Sequence, residues 1–209
     1  MKALFIHRSV GRNLIEQGQL RDLLALKGVT LHDYDNNSDT LTQANGRTSK
    51  TTLKIPGHNT NPDNLSQFFS RWCDVLNEYD LVMIKSCYPN SHIKDTDQLI
   101  KIQESYLSII KAFKAHGNRL LILTTPPLRP IMTNKLEAKL ANALADWLVS
   151  AADDDVQVFD LHHLLAEEAG ASRGTLKRKY RRLLPFDNHP NKKANEEIAQ
   201  LLAATINPG

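Results

Sequence analysis

Ala3-Leu4-Phe5-Ile6-His7-Arg8-Ser9-Val10-Gly11 is the stretch whose reading decides the fold. Its apolar run reads as a buried strand that ends in a hydroxyl and a glycine, at the edge where a parallel sheet exposes the carboxyl ends of its strands and where open α/β sheets bind ligands. Val10 and Gly11 predict a tight turn into a helix, with a backbone amide directed at a developing oxyanion. On Ser9 alone, an ordinary helix N-cap is the better reading. A serine becomes a nucleophile only when an imidazole takes its proton and a carboxylate fixes the imidazole tautomer. The far end of the chain carries both groups in Asp187-Asn188-His189-Pro190-Asn191, just before the last helical segment, where neither Asp187 nor His189 has an evident packing role. A turn-capping Asp beside an exposed His would also fit that motif, but its occurrence together with Ser9 favours a Ser-His-Asp set joined by folding.

Working outward, strand patterns recur at Lys2–His7, Val29–Tyr34, Leu81–Lys85, Arg119–Thr124 and Val156–Phe159. Helical stretches are expected at Asp63–Tyr79, Thr96–His116, Asn134–Ala152 and Lys192–Ile206, with the clearest stripe formed by Leu99, Ile102, Tyr106, Ile109, Ile110 and Phe113. Alternating strands and helices predict a three-layer α/β/α, doubly wound fold on a five-stranded parallel sheet, because crossovers between parallel strands are right-handed. In such a sheet the first strand is central and the last helix packs back beside it, which lets Ser9 and His189 meet. Residues 36–62, rich in Asn, Thr, Gly and Pro, are expected as a long loop, and loops of that length are often functional.

At 209 residues, with 41% hydrophobic and 23% charged side chains, the chain suits one domain spanning residues 1–209 with a core that needs no disulfide or structural metal. A net charge of +3 steers anions weakly and does not suggest a grip on nucleic acid. The two cysteines, Cys73 and Cys87, form neither a disulfide framework nor a metal-ligand spacing. No apolar run approaches the roughly 18 residues of a membrane span, and residues 1–7 resemble a strand more than a signal peptide, so a cytoplasmic location is expected unless a leader has been removed.

The strand-Ser-x-Gly opening and the late Asp-x-His-Pro-Asn closing resemble the SGNH hydrolases, the GDSL-like lipases and esterases. The resemblance runs the length of the chain in order and implies a flavodoxin-like sheet, with Ser9 as nucleophile, His189 as general base and Asp187 as the carboxylate that orients it. Where the family commonly has Gly-Asp-Ser this chain has His7-Arg8-Ser9, and one residue separates Asp187 from His189 where two are common. The family's oxyanion donors map onto the Ser9 amide, onto Gly57 in Ile55-Pro56-Gly57-His58-Asn59, and onto Asn90, the one amide side chain in Lys85-Ser86-Cys87-Tyr88-Pro89-Asn90-Ser91. Gly57 reads equally as a turn glycine after proline, and Asn90 as a turn asparagine. Asn59, Lys85 or a backbone amide are further candidates for holding negative charge.

Cys87 is a rival nucleophile at a strand end, although no His and carboxylate lie beside it in sequence. His162 and His163, with His58 and His92, could be read as metal ligands. Adjacent histidines on a helix project about 100° apart, so they are expected instead as helix-start residues, with no metal. Arg173, Lys177, Arg178, Lys179, Arg181 and Arg182 precede Asp187 and would ordinarily form a solvated helix face. Their position also suggests a substrate entrance that favours an anionic ligand. The resemblance implies a cofactor-free carboxylic-ester hydrolase, such as a deacetylase, acting on a small-molecule or carbohydrate ester. An acyltransferase using the same triad, or an inactive binding module on the same fold, are the alternatives. Nucleic acid is not an expected partner, since the basic run lacks interleaved aromatics beyond Tyr180.

Overall fold

The computed structural model describes residues 1–50, 61–86, 88–117 and 119–207. Its strands are β1 (Lys2–His7), β2 (Thr30–Asp35), β3 (Thr40–Thr42), β4 (Thr48–Lys50), β5 (Leu81–Lys85), β6 (Arg119–Leu123) and β7 (Val156–Phe159). Its α-helices are α1 (Ser9–Glu16), α2 (Leu20–Ala25), α3 (Pro62–Leu76), α4 (Thr96–His116), α5 (Lys135–Ser150), α6 (Leu161–Leu165) and α7 (Lys192–Thr205). The sheet order is β4-β3-β2-β1-β5-β6-β7. The run from β2 to β7 through β1, β5 and β6 is parallel throughout, the doubly wound arrangement expected from the alternation, with β1 between β2 and β5.

The sheet has seven strands, not five. The extra pair, β3 and β4, is an antiparallel hairpin that extends the sheet beyond β2 and lies inside the stretch expected to be loop. Each strand is three residues long and polar, so neither carries an apolar alternation that sequence could show. The one local signal is Asn45-Gly46, whose glycine takes φ +78° in the turn between them.

Period-two alternation along the parallel strands builds a core on each face. Leu4, Ile6, Val82, Ile84, Leu120 and Ile122 pack against the α3, α4 and α5 side. Ala3, Phe5, Met83, Leu121, Leu123 and Phe159 pack against α1, α2, α6 and α7. The helix ends follow from local chemistry. Asp95 caps α4 by accepting from the Gln98 N–H, and Gly117 ends that helix in the left-handed region at φ +73°. Asn134 and Glu137 close a capping box on α5. Among the described residues no helix is long and apolar enough to cross a membrane.

Gly11 does not make the expected turn. It lies within α1, where its missing side chain admits His7: a Cβ there would sit 2.3 Å from the His7 Cβ and 2.7 Å from its Cγ. Gly18, just past α1, has the same role against α7, where a Cβ would lie 2.5 Å from the Asn195 carbonyl oxygen and 2.6 Å from the Ala199 Cβ. These two close approaches seat α1 on the central strand and draw α7 alongside it.

His162 and His163 open α6 as expected, with Asp160 capping the helix through the His163 N–H at 3.2 Å. They point to different surroundings. His162 is fully buried, its Nδ1 donating to the Thr125 carbonyl at 3.1 Å, while His163 Nδ1 pairs with Asp160 at 2.6 Å. Burial pushes the His162 pKa down to about 4, against the opposing pull of the Thr125 carbonyl. The unfolded chain therefore takes up a proton near pH 6.5 that the folded chain refuses until about pH 4. Stability contributed by this group falls as pH drops through that window, by about 3 kcal/mol at its lower end. Urea unfolding of wild type and His162→Gln at intervals between pH 7.5 and 4 checks this, since the variant is expected to lose that part of the pH slope.

Candidate active site

Ser9 is the first residue of α1, directly after the β1 carboxyl end. Arg8, in extended conformation at φ −127°, takes the N-cap position without a side-chain cap. The serine hydroxyl is therefore not spent on capping. The first-turn N–H groups of any helix have no intrahelical acceptor, so the Ser9 amide stands at the positive end of α1. Beneath it the buried His7 bonds the Arg8 carbonyl through Nδ1 at 2.9 Å and faces Asp33 Oδ2 through Nε2 at 3.1 Å, which fixes the strand end on which Ser9 sits.

Folding brings Asp187 and His189 to this serine. The Ser9 hydroxyl donates to His189 Nε2 at 2.7 Å, and His189 Nδ1 donates to Asp187 Oδ1 at 2.6 Å. The tautomer follows from the partners: a carboxylate accepts only, so Nδ1 carries the proton and Nε2 is left as the acceptor facing Ser9. Asp187 Oδ1 also accepts the His189 backbone N–H at 2.9 Å, and Arg182 lies 3.3 Å from Oδ2. Burial raises the Asp187 pKa, but the His189 N–H, its imidazole and Arg182 outweigh that and hold the carboxyl below its ordinary value. It is a charged acceptor at neutral pH.

Three elements hold the Asp-His loop. Asn191 caps α7 through the Ala194 N–H at 3.0 Å, while its own side-chain amide donates to the carbonyls of Lys179 at 2.9 Å and Arg181 at 3.3 Å. Asn195, fully buried, donates to Gln17 Oε1 at 2.8 Å and to the Pro190 carbonyl at 3.3 Å, tying α7 to the end of α1. Arg129 donates its backbone N–H to Asn188 Oδ1 at 3.0 Å and its guanidinium to the carbonyls of Leu184, Asp187 and Arg182. The basic run is thus a strap along this loop and not the helix face its composition suggested. It holds a single 3-10 turn, Arg178–Tyr180, and a bridge from Arg181 to Pro190.

Sequence reasoning missed Arg129 and Tyr88. The Tyr88 hydroxyl donates to the Asn188 carbonyl at 2.7 Å, and its ring meets the His189 ring edge to face, with centroids 5.5 Å apart. Neither residue belongs to a local motif, and their partners lie 59 and 100 positions away. Tyr88→Phe keeps the ring and loses one neutral hydrogen bond, so kcat for an activated ester is expected to fall by about threefold to tenfold with KM little changed. Steady-state kinetics of the two proteins check it.

Of the expected oxyanion donors, Gly57, with the second-rank Asn59, lies outside the described residues, as does the rival nucleophile Cys87 and the expected non-ligand His58. Asn90 is buried in the 3-10 turn Tyr88–Ser91 with its side chain near the Tyr106 hydroxyl, and among the described residues its Nδ2 has no partner at ordinary hydrogen-bond geometry. Lys85 is buried too, its ammonium donating to the Ser86 carbonyl at 2.6 Å and standing 6.0 Å from the Tyr88 ring centroid. Among the described residues no cluster of three His, Cys, Asp or Glu side chains is arranged to hold a metal ion.

The serine, histidine and aspartate thus meet at the carboxyl edge of a doubly wound α/β sheet. Comparison with solved structures shows that the fold is shared with esterases and a GDSL-like lipase. An acetyl xylan esterase superposes with a TM-score of 0.59 at 18% identity, covering 99% of this chain and 100% of that one. A psychrotrophic esterase from Pseudoalteromonas sp. does so at 0.58 and 13%, covering 98% and 95%. A GDSL-like lipase from Bacteroides thetaiotaomicron does so at 0.57 and 12%, covering 97% and 85%. No protein-family model and no curated protein matches the chain.

Proposed function

We propose that the protein is a serine-dependent carboxylic-ester hydrolase, an esterase or deacetylase acting on a small-molecule or carbohydrate ester. The observation that carries this reading is the hydrogen-bonded series Ser9, His189, Asp187, with spacings of 2.7 and 2.6 Å. The named activities of the structural neighbours, an acetyl xylan esterase among them, agree with it.

Ser9 Oγ attacks the ester carbonyl carbon while His189 Nε2 takes its proton, and Asp187 stabilises the imidazolium that forms. The carbonyl oxygen becomes an oxyanion, held by the Ser9 N–H with Asn90 Nδ2 and the Gly57 N–H as further donors. Collapse of the tetrahedral intermediate expels the alkoxide, which leaves as the alcohol with the proton from His189. Water then attacks the acyl-serine as His189 takes its proton, and the second tetrahedral intermediate collapses by breaking the acyl–Ser9 bond, His189 returning the proton to Ser9 Oγ as the carboxylic acid departs. Each proton has a carrier among this chain's own residues. If a sugar hydroxyl replaces water in the second half, the same groups run an acyl transfer.

A fluorophosphonate probe followed by peptide mapping tests the reading. Label on Ser9, abolished in His189→Ala, is the expected result. Label on Cys87 would move the nucleophile, and no label together with no turnover of several short acyl esters would favour a binding module.

A further inference from the structure

The loop that ends at Asp187 carries three of the four most exposed large apolar side chains of the described residues. Leu183 is 101% exposed, Leu184 70% and Phe186 70%. Such a cluster in a short span is costly to leave in water and marks a surface that docks onto something. Its exposure is held in place, because the Arg129 guanidinium bonds the carbonyls of Arg182, Leu184 and Asp187, leaving the backbone tied and the side chains outward. The 3-10 turn that follows Arg129, Pro130–Met132, exposes a further apolar side chain, Ile131 at 63%.

The charge around this tip selects the occupant. Between Gly170 and Lys193 the chain has eight lysines and arginines and a single acidic residue, Asp187, whereas the whole protein is only +3. Lys177, Arg182, Lys192 and Lys193 are paired with Glu168, Asp187, Glu196 and Glu197, whereas Arg178 and Lys179, a few residues before the loop, are exposed, the Lys179 ammonium lying 4.5 Å over the Tyr180 ring. A second copy seated on this face through a twofold axis would bring the two basic segments together, which like charges oppose. Apolar side chains projecting from a basic rim suit a layer that is anionic at its surface and apolar beneath it.

We infer that the Leu183–Phe186 tip docks the protein onto an anionic lipid surface, with Leu183, Leu184 and Phe186 entering the acyl boundary and Arg178 and Lys179 meeting the headgroups. Phe186 directly precedes Asp187, so docking presents the Ser9–His189 site to the interface. This goes beyond ester hydrolysis and does not depend on it.

The test is co-sedimentation of the full chain with large unilamellar vesicles of phosphatidylcholine containing one part in three phosphatidylglycerol, against vesicles of phosphatidylcholine alone. Binding to the anionic vesicles, weakened at least tenfold by Leu183→Ser with Phe186→Ser, by Arg178→Glu with Lys179→Glu, or by half-molar salt, is expected. These side chains are exposed, and circular dichroism of each variant verifies that it folds. No binding to either vesicle, or binding that neither pair of substitutions alters, overturns the proposal. So does a concentration-dependent dimer, seen by light scattering, that Leu183→Ser dissolves, since a second copy would then be the occupant. Ser9→Ala is expected to bind vesicles like wild type, so failure here leaves the triad reading untouched.

Discussion

Ser9→Ala is expected to lower the turnover of p-nitrophenyl acetate by about 10⁴- to 10⁶-fold, and His189→Ala by a similar factor. The expectation rests on the way the two side chains work as one unit. A serine hydroxyl is a poor nucleophile at neutral pH, and in the proposed mechanism the 2.7 Å bond to His189 Nε2 lets its proton leave as the oxygen attacks. Removing either partner removes the same step, so Ser9→Ala with His189→Ala is expected to be little worse than each alone. What remains would be the contribution of substrate binding and the oxyanion donors. Purified variants assayed beside wild type, with matched thermal unfolding, give the measurement. Retention of more than a tenth of wild-type turnover in Ser9→Ala would transfer the nucleophile to another residue.

Asp187→Asn is the second large effect, a fall in kcat of about 10³- to 10⁴-fold with little change in fold. The carboxylate accepts from His189 Nδ1 at 2.6 Å and from the His189 N–H at 2.9 Å, and its lowered pKa keeps it an acceptor at neutral pH. An asparagine side chain can turn its NH₂ toward Nδ1. The ring then carries its proton on Nε2 and faces Ser9 with a donor where it needs a lone pair. The sign of the pH dependence follows. In the proposed mechanism Asp187 supports catalysis above its folded pKa and ceases to as pH falls through that depressed value, so the carboxylate is not expected to limit activity near neutrality. An Asp187→Asn enzyme with wild-type kcat between pH 6 and 8 would exclude this role for the carboxylate.

Much of the fold was legible in the chain because burial on both sheet faces leaves its mark on composition. The apolar runs of β1, β5 and β7 begin and end where their sequence patterns do, and β2 and β6 differ by one residue at their ends. The long stripe through Leu99, Tyr106, Ile109 and Phe113 faces the core as α4. The hairpin of β3 and β4 was not legible, because its six residues bury little and are held by backbone pairing, β3 to β2 and β4 to β3, which side-chain patterning does not record. Gly11 shows a subtler failure. A glycine after Ser-Val suggests a turn, yet its reason is the bulk of His7 one turn away across the strand-helix junction.

The site divides along the same line. Sequence by itself determined which residue types were available and in what order along the chain: a serine after the first strand, an aspartate and a histidine before the last helix. Chemistry alone makes that trio worth joining, and parallel topology gives it a place to meet. Only the tertiary structure decided the 2.7 and 2.6 Å spacings, the tautomer of His189, and the clamps from Arg129, Tyr88 and Asn195 that hold the loop. It also decided that the basic run is a strap ending in an exposed apolar tip. Those outcomes depend on groups up to 180 positions apart reaching hydrogen-bonding distance, which is set by how helices dock on a twisted sheet and not by any local spacing.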